Sequence, residues 1–340
     1  MVGAIPEVPD TRNLLAMSPP HSAELRHDQL GGRVVIVAAG RAARPHQFAA
    51  TPDEERDGPC PFCPGNEGDT PPEQVRTGTG DAGEPGWRVR VFPNKFPIVG
   101  GEGAGPGATG AHEVVALSPD HHASFARLAD DQAAEVFTVL RDRVRAHSDA
   151  GHAFALAIVN HRRAAGASIA HPHAQVLALD FVPPAVAAGL ARFRSAREDL
   201  VLADAHAGSA LFDAATAAAH PGVLAWSPYA ASSPGLVRVA LADAGASFAD
   251  ATDVQAAAVG RAVREVLGRL AAWMADPPYN VVVTGAPAGT PTGGFHWYVE
   301  IAPRISIVAG FEAGTGVLVN TVPPEQAAEA LRSAPVSREP

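Results

Sequence analysis

An α+β fold built by duplication is what the sequence predicts, and three observations carry that expectation. Short β-branched runs bounded by Gly and Pro recur along the chain. Two long segments show the apolar periodicity of amphipathic helices. The order strands, helix, strands occurs once in each half, more loosely in the second.

Taken in order, GGRVVIVAAG (31–40) is the first strand, rich in β-branched residues between glycines. GRAARPHQF follows as a loop, and residues 51–86, dense in Pro, Gly, Asp and Glu, read as loop with both cysteines inside. WRVRVFPNKFPIV (87–99) alternates and reads as a strand ending at Pro93. Residues 100–111 form a Gly-rich loop, and HEVVALS (112–118) a strand. Residues 128–147 make an amphipathic helix, acidic in its first turn and basic in its last. FALAIVN (154–160) and HAQVLALDFV (173–182) are strands around a loop at 161–170, and 185–204 is read as helix. In the second half VLAWSPYA and GLVRVALA are strands. Residues 252–275 form the longest helix, with Val259, Val263, Val266, Leu267 and Leu270 on one face. YNVVVTGAP and FHWYVEIAP are the last strands expected from pattern alone.

The formal charge of the 340 residues is −10 at pH 7. That sign argues against nucleic acid or an anionic membrane as partner, because both need a basic face. It leaves room for a local pocket that takes one nucleotide. The N-terminal stretch MVGAIPEVPDTRNLL lacks a basic start and a continuous apolar core, so no signal peptide is expected. No window is apolar for the eighteen or so residues a membrane span needs. A soluble cytoplasmic protein is the expectation. Lys95 is the single lysine; with so much Ala, Gly and Pro, the arginine bias reads as base composition.

The two cysteines, Cys60 and Cys63, stand in GPCPFCPGNE, and no other cysteine exists for either to pair with. Two thiolates on one tight turn suit tetrahedral Zn²⁺. A redox pair would precede a helix start; here Pro61 and Pro64 surround the cysteines and no helix signal follows, which favours zinc. Two more ligands are needed, and His112, His121, His122, His171 and His173 are candidates.

GASIAHPHAQ (166–175) places His171 and His173 at the start of a strand, where residues i and i+2 face the same side. Both could bind one metal, or one could bind while the other stays a free imidazole. Gly166 and Ser168 add small residues and backbone donors beside them, the means by which a phosphate is cradled.

HPHAQ after GAS, with Asn160 six residues before Gly166, resembles the galactose-1-phosphate uridylyltransferase branch of the histidine triad superfamily. The resemblance runs through residues 24–48, CPFCPGNE (60–67), VRVFPNKFP (89–97), HEVVALSPDH (112–121), the HPHAQ region, YNVVVTGAP, FHWYVEIAPR, GFEAGTGVLVN and PPEQAAEALR. It implies a duplicated histidine-triad-like fold of antiparallel sheets with packed helices. It divides the chain into an N-terminal extension (1–23), an N-terminal half carrying zinc and HPHAQ (24–205), a degenerate C-terminal half (206–332) and a tail (333–340).

The resemblance implies roles as well. His173 would be the nucleophile, attacking the α-phosphorus of a nucleoside diphosphate sugar and holding the nucleotide covalently. Gln175 would hydrogen-bond a phosphoryl oxygen; hydrolytic relatives carry a third His there, so HPHAQ points to transfer rather than hydrolysis. Ser168 would assist at the phosphates. His171, Cys60, Cys63 and His121 would fill a structural zinc site, His121 preferred over His122 for its place after SPD. Arg41 and Arg44 would approach the phosphates, and Phe62, Asn94 and Phe96 would line the base and ribose pocket. Asn160 would face the phosphates, and Phe311, Glu312 and Asn320 the hexose. A homodimer with the site near its interface is the implied assembly.

Many family members carry a second metal, held by a Glu after the catalytic strand and three His. Here the second half reads His296-Trp297-Tyr298, Thr284 stands where a His is expected, and residues 186–192 hold no Glu. No second metal is expected, and the drift puts galactose specificity in doubt. CPFCPGNE and PPEQAAEALR are closer to the branch that includes plant ADP-glucose phosphorylase. The expected function is nucleotidyl transfer between sugar 1-phosphates in the manner of a hexose-1-phosphate uridylyltransferase. The alternatives are phosphorolysis of a nucleotide sugar, with phosphate as acceptor, and a zinc-stabilised nucleotide-sugar-binding protein without catalysis.

Overall fold

The structure, a computed structural model, describes residues 23–43, 59–101, 105–291 and 293–335. In chain order the first half carries β1 (Ala23–Asp28), β2 (Arg33–Ala38), β3 (Val75–Gly78), β4 (Trp87–Pro93), β5 (Gly110–Ala116), α1 (Asp130–Asp149), β6 (Phe154–His161) and β7 (His173–Leu179). Then come α2 (Pro184–Ser195), α3 (Leu200–Ala207), β8 (Ser209–Ala210), α4 (Ala214–Ala219), β9 (Val223–Ser227) and β10 (Val237–Leu241). The chain closes with α5 (Asp253–Met274), β11 (Tyr279–Thr284), β12 (Tyr298–Pro303), α6 (Gly310–Thr315), β13 (Val317–Asn320) and α7 (Pro324–Ser333).

Ten strands form one antiparallel sheet in the order β3-β4-β5-β7-β6-β11-β12-β10-β9-β8. The order displays the duplication. β4-β5-β7-β6 with α1 between its second and third strands in sequence is matched by β9-β10-β12-β11 with α5 in the same place. The copies meet at β6 and β11, where Asn160 lies opposite Asn280. β7 and β12 occupy equivalent positions, so His171 and His173 correspond to His296 and Tyr298.

One face of the sheet is covered by α1 and α5, whose apolar sides share a single buried cluster with Val115, Val159, Ala174, Val176, Val239, Val281 and Val299. The helices approach closely at Gly260, where an added Cβ would lie 2.5 Å from the Ala133 carbonyl oxygen. α5 starts at a capping box, Thr252 with Gln255. On the other face, Leu30, Phe193, Trp226, Phe295 and Tyr298 pack α2 and α3 onto the second half. A smaller cluster of Phe62, Trp87, Phe92, Val114 and Ala116 lies over the first.

Some elements depart from the sequence reading. The helix expected over 185–204 is two, α2 and α3, because Asp199 caps a new start by accepting from the amides of Val201 and Leu202. β3 lies inside the stretch read as loop. Its short run is hidden among Pro and Gly, and pairing with β4 makes it a strand. The small sheet β1-β2-β13 is not wholly antiparallel, since β13 joins β2 in parallel register across nearly the whole chain. Among the described residues no helix is long and apolar enough to cross a membrane.

Candidate functional site

β7 delivers the HPHAQ residues to the sheet face turned away from α1 and α5. Side chains alternate along a strand; Ala174 and Val176 enter the helix-side core, so His173 and Gln175 take the opposite face. Ala116 and Val114 of β5 stand across from these two, and Ile158 of β6 stands across from Gln175.

His173 is 7 % exposed, and its ring meets Phe62 edge-on at 5.5 Å. Its Nδ1 lies 2.8 Å from the carbonyl oxygen of His171. A carbonyl only accepts, so the proton sits on Nδ1 and the lone pair of Nε2 is left free. Burial holds the ring's pKa below the ordinary histidine value, so the neutral form is favoured.

The loop between β6 and β7 is wound tightly beside this histidine. The carbonyl of Arg162 accepts from the amides of Ala165 at 3.1 Å and Ala167 at 3.2 Å. Gly166 closes the turn at φ +96°, open to glycine without strain. Arg162 itself has φ +67° and ψ 160°, a region glycine favours, and its guanidinium donates to Asp276 at 2.6 Å. Burial would raise the Asp276 pKa, but His161 and Arg162 outweigh it and bring the carboxyl down to about 2. From β11, Asn280 donates to the Asn160 side-chain oxygen at 2.7 Å and to the Ala165 carbonyl at 2.8 Å. Ser168 is exposed on the same loop.

Cys60, Cys63, His121 and His171 converge, with ligand atoms all within 4.8 Å of one another. Cys63 Sγ is 3.3 Å from His121 Nδ1 and 3.6 Å from His171 Nδ1. Those separations are what two ligands about 2.0–2.3 Å from a common tetrahedral ion would show. His171 donates from Nε2 to the Ser118 carbonyl at 2.8 Å, which turns the Nδ1 lone pair to the cysteines. Burial lowers the His171 pKa to about 4, keeping it a neutral donor, while burial and Cys60 push Cys63 up to about 11. A cation at the centre would reverse the thiol's preference, so the donor set fits a metal ion. His122 is exposed, outside the group.

A scaffold holds the cysteine loop that sequence reasoning did not anticipate. Asn66 donates to the Cys60 carbonyl at 2.8 Å, Trp87 to Glu67 at 2.9 Å, and Arg90 to the Glu67 carbonyl at 3.1 Å. GNE in the sequence was the available signal for this, but its partners are set by the fold.

The remaining residues distribute unevenly. Phe62 and Asn160 are at the site. Asn94 reaches it through His112, whose Nε2 is 3.2 Å from Asn94 Nδ2 and 2.8 Å from Gln175 Oε1. Phe96 stands 81 % exposed on the β4–β5 connection. Arg41 is exposed in a short 3₁₀ turn, and Arg44 lies outside the described residues. Phe311 sits exposed on α6, and Glu312 beside it is half-buried and accepts from the Ala309 amide at 3.1 Å. Asn320 is fully buried; it donates to the carbonyls of Ala231 and Ser233 and accepts from the Val322 amide, so it is not brought to the site. His296 has Nδ1 2.7 Å from Asp199 and donates from Nε2 to the Leu241 carbonyl at 2.9 Å, leaving neither ring nitrogen to a metal.

Residues 104–183 match the family model for the galactose-1-phosphate uridyl transferase N-terminal domain. ADP-glucose phosphorylase of Arabidopsis thaliana is 30% identical over 334 residues, covering 92% of this chain and 93% of the relative. The galactose-1-phosphate uridylyltransferase of Streptomyces lividans is 32% identical over 158 residues, 45% of this chain and 37% of that one. The crystal structure of the Arabidopsis phosphorylase with bound ADP-glucose superposes with a TM-score of 0.81 at 26% identity, covering 93% of this chain and 100% of the other. Identity sustained through nearly all of both chains, with HPHAQ inside the matched domain, places this chain in the galactose-1-phosphate uridylyltransferase family of enzymes.

Proposed function

We propose that this chain moves a nucleoside monophosphate from a nucleoside diphosphate sugar to a phosphate oxygen, by way of a covalent intermediate on His173. One observation carries the reading: a buried histidine whose Nδ1–H is taken by the His171 carbonyl, leaving the Nε2 lone pair free on the strand face it shares with Gln175. Nε2 attacks the α-phosphorus and an N–P bond forms. The anhydride P–O bond breaks, and sugar 1-phosphate leaves with the bridging oxygen and its electron pair. The acceptor oxygen then attacks phosphorus and the N–P electrons return to the ring. The His171 carbonyl stabilises the positive charge the ring carries in between. Loop amides and Ser168 offer donors to the phosphoryl oxygens.

Inorganic phosphate is the acceptor we favour. The relative matched over 93% of its length is a phosphorylase, and Asn320, expected on the hexose, is committed to the backbone carbonyl of Ala231. A sugar 1-phosphate acceptor is the second reading, favoured by the Streptomyces relative. Cys60, Cys63, His121 and His171 would hold zinc as a closed structural site pinning the start of β7 to the cysteine loop.

The deciding experiment mixes zinc-replete protein with UDP-, ADP-, GDP- and dTDP-sugars without acceptor and reads intact mass. A gain of one nucleoside monophosphate is expected and names the base. Adding phosphate or sugar 1-phosphate should discharge the adduct, and the faster of the two names the acceptor. Absence of an adduct from every donor would leave a binding protein.

A further inference from the structure

His112 is unclaimed by the site as read so far. It is 6 % exposed on β5, stands opposite Leu177 of β7, and so shares the face of His173 and Gln175 one pair along. It was among the candidate zinc ligands, yet it lies outside the metal group. Its hydrogen bonds answer a question that Gln175 raises: an amide side chain has an accepting end and a donating end, and only the donating end can hold a phosphoryl oxygen.

The chain of donors is determinate. The backbone amide of Ile98 reaches His112 Nδ1 at 3.3 Å. An amide N–H only donates, so Nδ1 carries the lone pair and the ring proton sits on Nε2. Nε2–H must then donate, and Gln175 Oε1, 2.8 Å away, is its acceptor. Asn94 Nδ2, 3.2 Å from the same nitrogen, is itself a donor; its orientation is set because its oxygen accepts from the Phe96 amide at 2.8 Å. The opposite tautomer would accept from Asn94 but set an Nδ1–H against the Ile98 N–H, a backbone donor that cannot turn aside as the Asn94 side chain can. Burial holds the ring's pKa below the ordinary value, which favours the neutral form this scheme requires.

We infer that His112 is a positioning residue that occupies the oxygen of the Gln175 amide and so turns its NH₂ toward the transferred phosphoryl group. The inference rests on the transfer reaction proposed above. Without that anchor the amide can rotate and present its oxygen to an oxyanion, which repels it. Gln175 touches the phosphoryl group; His112 acts only through Gln175.

The test compares single-turnover adduct formation, read by intact mass, in the full zinc-loaded chain. His112→Leu should slow adduct formation by about tenfold, the worth of one net hydrogen bond, with donor KM and zinc content unchanged. His112→Gln, whose amide also donates, should recover most of the rate, whereas His112→Asn, one methylene shorter, should not. In a Gln175→Leu background His112→Leu should add nothing, because its effect runs through that amide. Should His112→Leu melt early, the Gln and Asn variants carry the comparison. Wild-type rates in His112→Leu or His112→Asn, or effects that multiply with Gln175→Leu, overturn the inference while leaving the reaction standing. No adduct in the wild type overturns the reaction and the inference with it.

Discussion

His173 is oriented by its own backbone: the carbonyl two residues earlier takes its Nδ1–H, so no separate carboxylate is needed to fix the tautomer. Replacing His173 by Gly should remove the adduct and lower transfer by more than about a thousandfold, as loss of a nucleophile does. Zinc content should stay near wild type, since His173 is not among the clustered metal-type ligands. Turnover persisting in His173→Gly would move the nucleophile elsewhere. The sequence made His171, His173 and Gln175 legible because i, i+2 spacing on a strand puts them on one face. Spacing left five histidines open as partners of Cys60 and Cys63; the family resemblance singled out His121 and His171, and the structure brings these four together. His112 and Asn280 were not legible as partners of Gln175 and Asn160, because those hydrogen bonds join positions 63 and 120 residues apart. Asn320 went the other way: a buried amide satisfied by three backbone groups cannot be told from a ligand-facing one by its neighbours in sequence.

Among elements, the cysteine loop and β7 depend on each other. Among the described residues the loop has no regular strand or helix of its own beyond a short 3₁₀ turn at Glu67–Asp69; Trp87 and Arg90 of β4 hold it by hydrogen bonds, and beyond β4 Phe62 supplies only apolar packing. A metal bridging Cys60 and Cys63 to His121 and His171 would join it to β7 and to the segment after β5. Cys63→Ser should therefore drop zinc from about one per chain to well under half in metal analysis. The melting temperature should fall with it, because metal binding to such a site is folding free energy. Full zinc in that variant would mean a different ligand set. The long helices were legible because their apolar stripes survive any context: α1 and α5 lie within two residues of the sequence reading. β3, β13 and the break between α2 and α3 were not. Two short strands and one cap are decided by partners that local pattern does not contain.

At the scale of the whole molecule, the second half is tied to the rest by a buried charge network. Arg238 of β10 lies opposite Glu300 of β12 and also reaches Asp28 of β1 and Asp204 of α3, at 3.1, 2.6 and 2.8 Å. Its side chain is 1 % exposed, as is that of Asp28, so the large sheet, the small sheet and α3 meet at one buried guanidinium. Burial would raise the pKa of Asp28, but the charge of Arg238 outweighs it; Glu300 is likewise held low against burial by Arg33 and Arg238. Carboxyls held low in the folded state contribute stability above their unfolded values, near 3.8 and 4.5, and lose it as pH falls through their folded ones. Asp204 works in the opposite sense, pushed up by burial against the pull of Arg238. Arg238→Leu leaves Asp28 and Asp204 buried without their main partner, while Glu300 keeps Arg33, and should cost about 3–5 kcal/mol at neutral pH. Its pH dependence separates this cause from mere loss of packing. Once unpaired, Asp28 and Asp204 are raised by burial, so the variant gains stability as acid protonates them while the wild type loses it. The difference in melting temperature between the two proteins should therefore shrink steadily from pH 7 to pH 4. A gap that stays constant over that range would mean that Arg238 supports the sheet by its bulk and not by its charge.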